Sequence, residues 1–177
     1  MATKQWALDP SHSEVQFKVK HMMISTVTGE FKEFDVKLST EDNDFTKAKA
    51  TFSAPLSAIT TKNEQRDNHL RSADFFDAEN HPHVTFESES ISKKNDEEYE
   101  LKGNLTIRSI SRPVTLKVEN SGVVADPWGN TRTGFEISGK ISRKDFGLTY
   151  NAALETGGVV VGDEVRLFAN VELVEQK

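Results

Sequence analysis

The feature that most constrains this chain is a two-residue hydrophobic alternation that recurs along most of its length. Val15, Phe17, Val19 and His21 alternate with Glu14, Gln16, Lys18 and Lys20. Successive side chains of a β-strand point to opposite faces, so this spacing makes one dry face and one wet one. Phe34, Val36 and Leu38 repeat it, as do Ala48, Ala50, Phe52 and Ala54, then Val84, Phe86 and Ser88. Tyr99 to Ile107, Val114 to Val118, Phe135 to Ile141 and Val165 to Leu173 carry it onward, and Trp6 and Leu8 mark a short opening strand. Strands with one wet face belong to antiparallel sheets; parallel strands are buried on both sides. Many such strands predict a barrel or a sandwich. Turn chemistry separates them at Asp9-Pro10, Asp42-Asn43-Asp44, Lys93 to Asp96, Asp126 to Asn130 and Gly157-Gly158.

A single helical segment interrupts the strands. Thr61 followed by Glu64 has the spacing of a capping box. Asp67 can reach Arg71 one turn on. Residues 64–80 are expected to form a helical lid over one end of the barrel, with Phe75 and Phe76 as its apolar part. No repeat, low-complexity tract or linker divides the chain, so 1–177 is expected to be one domain.

The inward side chains carry the functional information. Phe occurs 11 times against two Trp and two Tyr, and Gly103 and Gly139 share the inward parity of these aromatics. Large and small residues on one inner face can pack a taper or leave a channel, and glycine can mark a bend. Eight-stranded barrels lie at the boundary between a filled core and a one-ligand cavity. Alternation alone leaves both open.

Composition removes several functions. The formal charge of -6 argues against a nucleic-acid partner and against anchoring on anionic lipid. Without cysteine there is no disulfide, thiolate metal site or thiol chemistry. No apolar run is long enough for a membrane span. Met1 to Trp6 has no leader-like apolar stretch, so the expected compartment is the cytoplasm, or the periplasm if a leader has been removed.

Three clusters invite chemical readings. Asp9, His12 and Ser13 suggest a triad, but a triad converges from separate elements and needs an oxyanion hole. A turn capped by its own side chains explains them better. His81-Pro82-His83 offers two imidazoles, whereas metal sites need three or four ligands at fixed spacing. Neither a catalytic residue nor a metal ligand is expected. Arg66 and His69 share a helix face, either as a solvated ion-pair surface or as a polar collar at a barrel mouth. His21 continues the inward row of β residues as a rim histidine or a contact for a ligand's head.

The residues also resemble a known family. Trp6-x-Leu8-Asp9-x-x-His12-Ser13-x-Val15-x-Phe17-x-Val19-x-His21 looks like the opening block of the YceI-like, polyisoprenoid-binding family. Arg66-Asp67-x-His69-Leu70, Asp74-Phe75-Phe76-Asp77 and Pro82-x-x-x-Phe86 resemble its middle. Gly103 to Arg108 with Arg112-Pro113-Val114 is similar to its third block. Gly134-Phe135, Ile141-x-Arg143-x-Asp145-Phe146-Gly147-Leu148 and Gly162-Asp163-x-Val165 are similar to its last. Ser109 departs from the pattern, which has glycine there.

The resemblance implies an all-β chain: one antiparallel, lipocalin-like barrel of about eight strands with a helical lid. It implies a tunnel for an isoprenoid, an isoprenoid quinone or another long amphiphile, with no catalytic residue, no metal and no cofactor beyond such a lipid. The expected lining is Phe17, Val19, Phe52, Leu105, Phe135 and Leu167, joined by Phe31, Phe75, Phe76 and Phe86. His21, Arg66 and His69 are expected at its mouth. The expected partner is a long-chain apolar small molecule, and homodimer formation stays open. A lipid- or quinone-modifying enzyme using a mouth histidine and a ligand-free stress or interaction protein are the rival readings.

Overall fold

Among the described residues, eleven strands form one antiparallel sheet that closes on itself. The computed structural model describes residues 3–22, 24–149 and 161–176, with the backbone alone at Ser121. The Gly157-Gly158 turn lies outside the described residues. The strands are β1 (Thr3–Leu8), β2 (Glu14–His21), β3 (Ser25–Phe31), β4 (Asp35–Glu41), β5 (Asp44–Pro55) and β6 (Ile59–Thr60). They continue with β7 (His83–Lys93), β8 (Glu98–Ile107), β9 (Ile110–Ala125), β10 (Thr131–Ser142) and β11 (Val161–Glu175).

Three of the barrel's strands are broken in the middle. β1 and β2 pair along the same edge of β11, β1 continues onto β4, and β2 onto β3. β4 then pairs with β5, and β3 with β6. Joining the halves gives an eight-stranded barrel in which every strand is antiparallel to its neighbour. Closure satisfies the ladder that an open sheet would expose at its edge.

The break between β1 and β2 follows from its sequence. Pro10 has no N–H for a ladder. The Asp9 carboxylate accepts from the Ser11 N–H at 3.1 Å and from its hydroxyl at 2.7 Å, while the Ser13 hydroxyl donates to the Asp9 carbonyl at 2.7 Å.

Alternation failed to reveal β3 and the two-residue β6; in β3 the reason is a glycine. The inward residues of β3 are Val27, Gly29 and Phe31, and the glycine hides the apolar row. The β8–β9 hairpin turns on Arg108 and Ser109, both left-handed with φ of 54° and 64°. Such a two-residue turn favours glycine, so Ser109 costs backbone strain at that site.

The helix is shorter than expected. α1 spans Glu64–Arg71, and residues 72–80 form turns. The Ser72 hydroxyl donates to the His69 carbonyl at 2.5 Å and ends it. Its N-cap is Asn63, whose side chain accepts from the Arg66 N–H at 3.0 Å, so Thr61 and Glu64 form no capping box. Asp67 is buried and accepts from the Thr61 N–H and hydroxyl rather than reaching Arg71.

Candidate ligand-binding cavity

The two ends of the barrel are built differently. At one end Trp6, Phe45, Tyr99 and Phe135 form a plug, with Phe45 edge-on to Tyr99 and to Phe135 at centroid distances of 6.4 and 5.2 Å. Trp6 is 2% exposed, and its indole N–H donates to the Thr40 hydroxyl at 3.0 Å, so no polar group is stranded there. Asn120 donates to Thr133 and to the Gly134 carbonyl at 2.7 and 2.8 Å for the same reason.

Towards the other end the inner face borders a cavity of about 450 Å³. That lies in the range of small-molecule sites. Val15, Phe17 and Val19 are only half-buried although they point inward, because their outer surfaces face this lumen. Phe31, Phe52, Phe86, Leu105 and Leu167 continue the wall, and Leu70, Phe75 and Phe76 supply it from the α1 segment. Phe135 is the exception among the expected lining residues. It faces inward but one layer too deep, where it packs on Phe45 in the plug.

The inward glycines do not leave holes, contrary to the channel reading of the alternation. A Cβ at Gly29 would overlap the Phe17 ring, one at Gly103 the Phe86 ring, and one at Gly139 the Leu116 side chain. Each large side chain lies across the glycine of a neighbouring strand. That keeps it flat against the wall, and the lumen stays open in the middle.

His21, Arg66 and His69 all border the cavity and form a polar rim. Arg66 is held by Thr61: Nε donates to its hydroxyl at 2.8 Å and Nη2 to its carbonyl at 2.7 Å. His69 Nε2 lies 2.9 Å from Asp74 Oδ2, and its ring stands edge-on to Phe75 at 5.0 Å. His21, at the end of β2, borders the cavity and makes no side-chain hydrogen bond among the described residues.

Sequence reasoning missed Arg143. It is 3% exposed, lies in a short 3₁₀ turn after β10, and borders the same lumen. Nε donates to the Gly162 carbonyl at 2.8 Å, Nη2 to Val161 at 3.2 Å and Nη1 to Leu148 at 2.5 Å. Burial lowers its pKa, and Asp163 at 3.7 Å opposes that shift. The only signal was its place in the Ile141-to-Leu148 block, which assigns it no chemistry. Its bonds tie the end of β10 to the start of β11 and stiffen the rim.

The Asp9 cluster lies away from the lumen. His12 Nδ1 contacts Asp9 at 2.9 Å and Ser11 at 3.2 Å. A relay needs the two partners on opposite ring nitrogens, and here one nitrogen faces both. Glu172 joins the group, and the three ligand atoms converge as a metal site's would. Arg132 already supplies the cation, at 2.8 Å from Asp9 and 3.0 Å from Glu172. Hydrogen bonds from Ser11, His12 and Arg132 hold the Asp9 carboxyl well below the usual carboxylate range, and Asp9 in turn raises the His12 pKa. His81 and His83 do not converge either: His81 Nδ1 is 2.9 Å from the Ser109 hydroxyl, and His83 is exposed.

The pattern of the YceI-like domain matches residues 6–173. The chain belongs to the YceI-like family. A UPF0312 protein of Staphylococcus epidermidis is 46% identical over 165 residues, covering 93% of this chain and 94% of its own. The crystal structure of the Campylobacter jejuni YCEI protein superposes with a TM-score of 0.78 at 32% identity, over 96% of this chain and 97% of that one. A polyisoprenoid binding domain from Saccharophagus degradans, implicated in plant cell wall breakdown, shares the fold with a TM-score of 0.67. Its identity is 13%, over 95% of this chain and 97% of that one. In this YceI-like barrel, residues bordering the cavity fall within the matched span: Val15, Phe17, Val19 and His21 on β2, Arg66 and His69 with Phe75, Phe76 and Phe86, and Arg143 with Leu148.

Proposed function

We infer that the protein holds one long apolar molecule in the barrel lumen for transport, storage or sequestration. The observation that carries this is a lumen of about 450 Å³ walled by Phe, Val, Leu and Ile and bordered at its mouth by His21, Arg66 and His69. Removing apolar area from water is worth about 25 cal/mol per Å², so such a wall favours a chain-like ligand over a compact polar one. The rim orients the head and adds little to the total. The polyisoprenoid binding of a structural neighbour supports an isoprenoid, an isoprenoid quinone or a fatty-acid-like amphiphile as the occupant.

A binding role suits the rim better than turnover. A general base needs a partner that orients it and a reacting atom within reach. His21 has no orienting partner among the described residues; His69 has one in Asp74, so the lipid- or quinone-modifying alternative rests on His69 alone. Solvent extraction of the purified protein followed by mass spectrometry tests the reading. A stoichiometric long-chain lipid is the expected result. Protein that yields none, and that takes up none from a mixed lipid extract, supports the ligand-free alternative.

A further inference from the structure

The chain as a whole is acidic, yet one outer wall of the barrel is basic. Lys18 of β2 stands directly opposite Arg166 of β11, and Arg166 directly opposite Lys140 of β10. Like charges facing each other across strands are destabilising. Glu164, 3.2 Å from Arg166, is the nearest recorded relief. Lys18, Lys20 and Lys140 make no ion pair among the described residues. Lys117 of β9, opposite Ser138 and so two residues along from Lys140, extends the patch, and Glu98 and Glu119 pair with it and mark its edge.

This wall is also apolar where an outer face should be polar. Phe168 is 40% exposed in its middle, with the Lys18 ammonium 5.1 Å from the ring centre. The β2–β3 hairpin rises from the same strand to the barrel mouth and carries Ile24, 82% exposed, and Met22, 38% exposed. Lys20 and Phe168 border the ligand cavity as well as the patch.

We propose that this face docks the barrel mouth onto an anionic phospholipid bilayer, with Ile24 and Met22 entering the headgroup layer and Lys18, Lys20, Lys140 and Arg166 meeting lipid phosphates. Charge complementarity selects the occupant. Clustered Lys and Arg beside exposed apolar and aromatic side chains is the composition of a membrane-surface contact. Glu164, Glu98 and Glu119 offset part of this charge, but Lys18, Lys20, Lys117, Lys140 and Arg166 outnumber them, and carboxylates farther than about 8 Å away are screened at physiological salt. The location fits as well: a long apolar chain leaving a bilayer meets the mouth without crossing water. That purpose rests on the ligand-holding reading, but the docking does not.

Co-sedimentation with vesicles tests it. The protein should bind vesicles of phosphatidylcholine mixed with phosphatidylglycerol and ignore phosphatidylcholine alone, and rising salt should release it. The double variant K140Q/R166Q should weaken binding by roughly fivefold per cation removed. I24S should weaken it without changing the salt dependence. All these positions are exposed, and circular dichroism checks that the variants fold. Equal binding to neutral vesicles, or no effect of either variant, overturns the proposal. So does no vesicle binding combined with a dimer that K140Q/R166Q dissolves, which assigns the face to a second copy of this chain. Uptake of a fluorescent long-chain fatty acid, measured on the same samples without vesicles, separates the two readings. Vesicle binding without uptake leaves docking standing and removes the ligand-holding reading.

Discussion

The plug and the lumen are both lined by inward-facing aromatic side chains, yet one is solid and the other hollow. In the plug, Trp6, Tyr99 and Phe135 all pack on the Phe45 ring. In the lumen, Phe17 and Phe86 lie flat over Gly29 and Gly103 and stay against the wall. Inward parity says which residues face the axis only while the ladder is regular: the register shift between Ser39 and Glu41 lets Phe45 turn inward with the opposite parity to Ala48, Ala50 and Phe52. The partner across the strand pair decides whether an inward side chain reaches the axis. The plug is packed side chain on side chain, whereas the wall of the lumen borders open space.

Truncation at the two ends should separate these roles most strongly. Phe45→Ala opens a void in a packed cluster and should cost about 3–5 kcal/mol in urea unfolding. Phe17→Ala, whose ring already borders open space, should cost less than half of that and should alter ligand affinity instead. Equal losses at both positions would show that the lumen is a packed core.

Filling the glycine seats should convert the hollow end toward the solid one. Gly103→Ala forces the Phe86 ring off the wall and presses on the Glu87 carbonyl. Overpacking of this kind costs about 1–3 kcal/mol. It should also shorten the longest chain the protein accepts. Unchanged capacity in a folded variant would mean the rings do not control the lumen.

The Asp9 turn marks the boundary between the two ends, and its charges give it a pH signature. The Asp9 pKa is depressed in the folded protein. Its contribution is therefore present above the unfolded value of about 3.9 and lost as pH falls towards the folded one. The His12 pKa is raised, so its contribution is present below about 6.5 and lost as pH rises through the folded value. Asp9→Asn should flatten both limbs in urea midpoints measured across pH. A variant that keeps the wild-type acid limb would remove Asp9 from the account.

Ser109→Gly should have the smallest effect. Relief of a left-handed serine is worth about 1 kcal/mol, and the lost bond to His81 offsets about half of that, so a gain of about 0.5 kcal/mol is expected in thermal unfolding. A loss of stability there would show that the His81 bond outweighs the strain.

Much of this was legible in the sequence because a strand's inward face is a matter of parity. The closed barrel, the wall at Phe17, Val19, Phe52, Leu105 and Leu167, and the rim at His21, Arg66 and His69 all follow from that rule and from the family blocks. What escaped depends on contacts between distant strands. Phe135 has the right parity but the wrong depth, and depth is set by the stagger of β10 against β9 and β11. Gly29 concealed β3 because its row is completed by the Phe17 ring from β2. Arg143 is polar in sequence and buried in space, since its bonding partners are carbonyls five, 18 and 19 residues away. Asn63 took the cap from Thr61 because Thr61 is engaged with Asp67 and Arg66.

The most direct test of the central claim is calorimetric titration with saturated fatty acids of increasing chain length. Affinity should rise by up to about 0.8 kcal/mol for each added CH₂ and then level off when the lumen is full. Gly103→Ala should reach that plateau at a shorter chain than the wild type. Affinity independent of chain length, or none tighter than roughly millimolar, would contradict the claim that the lumen is the binding site.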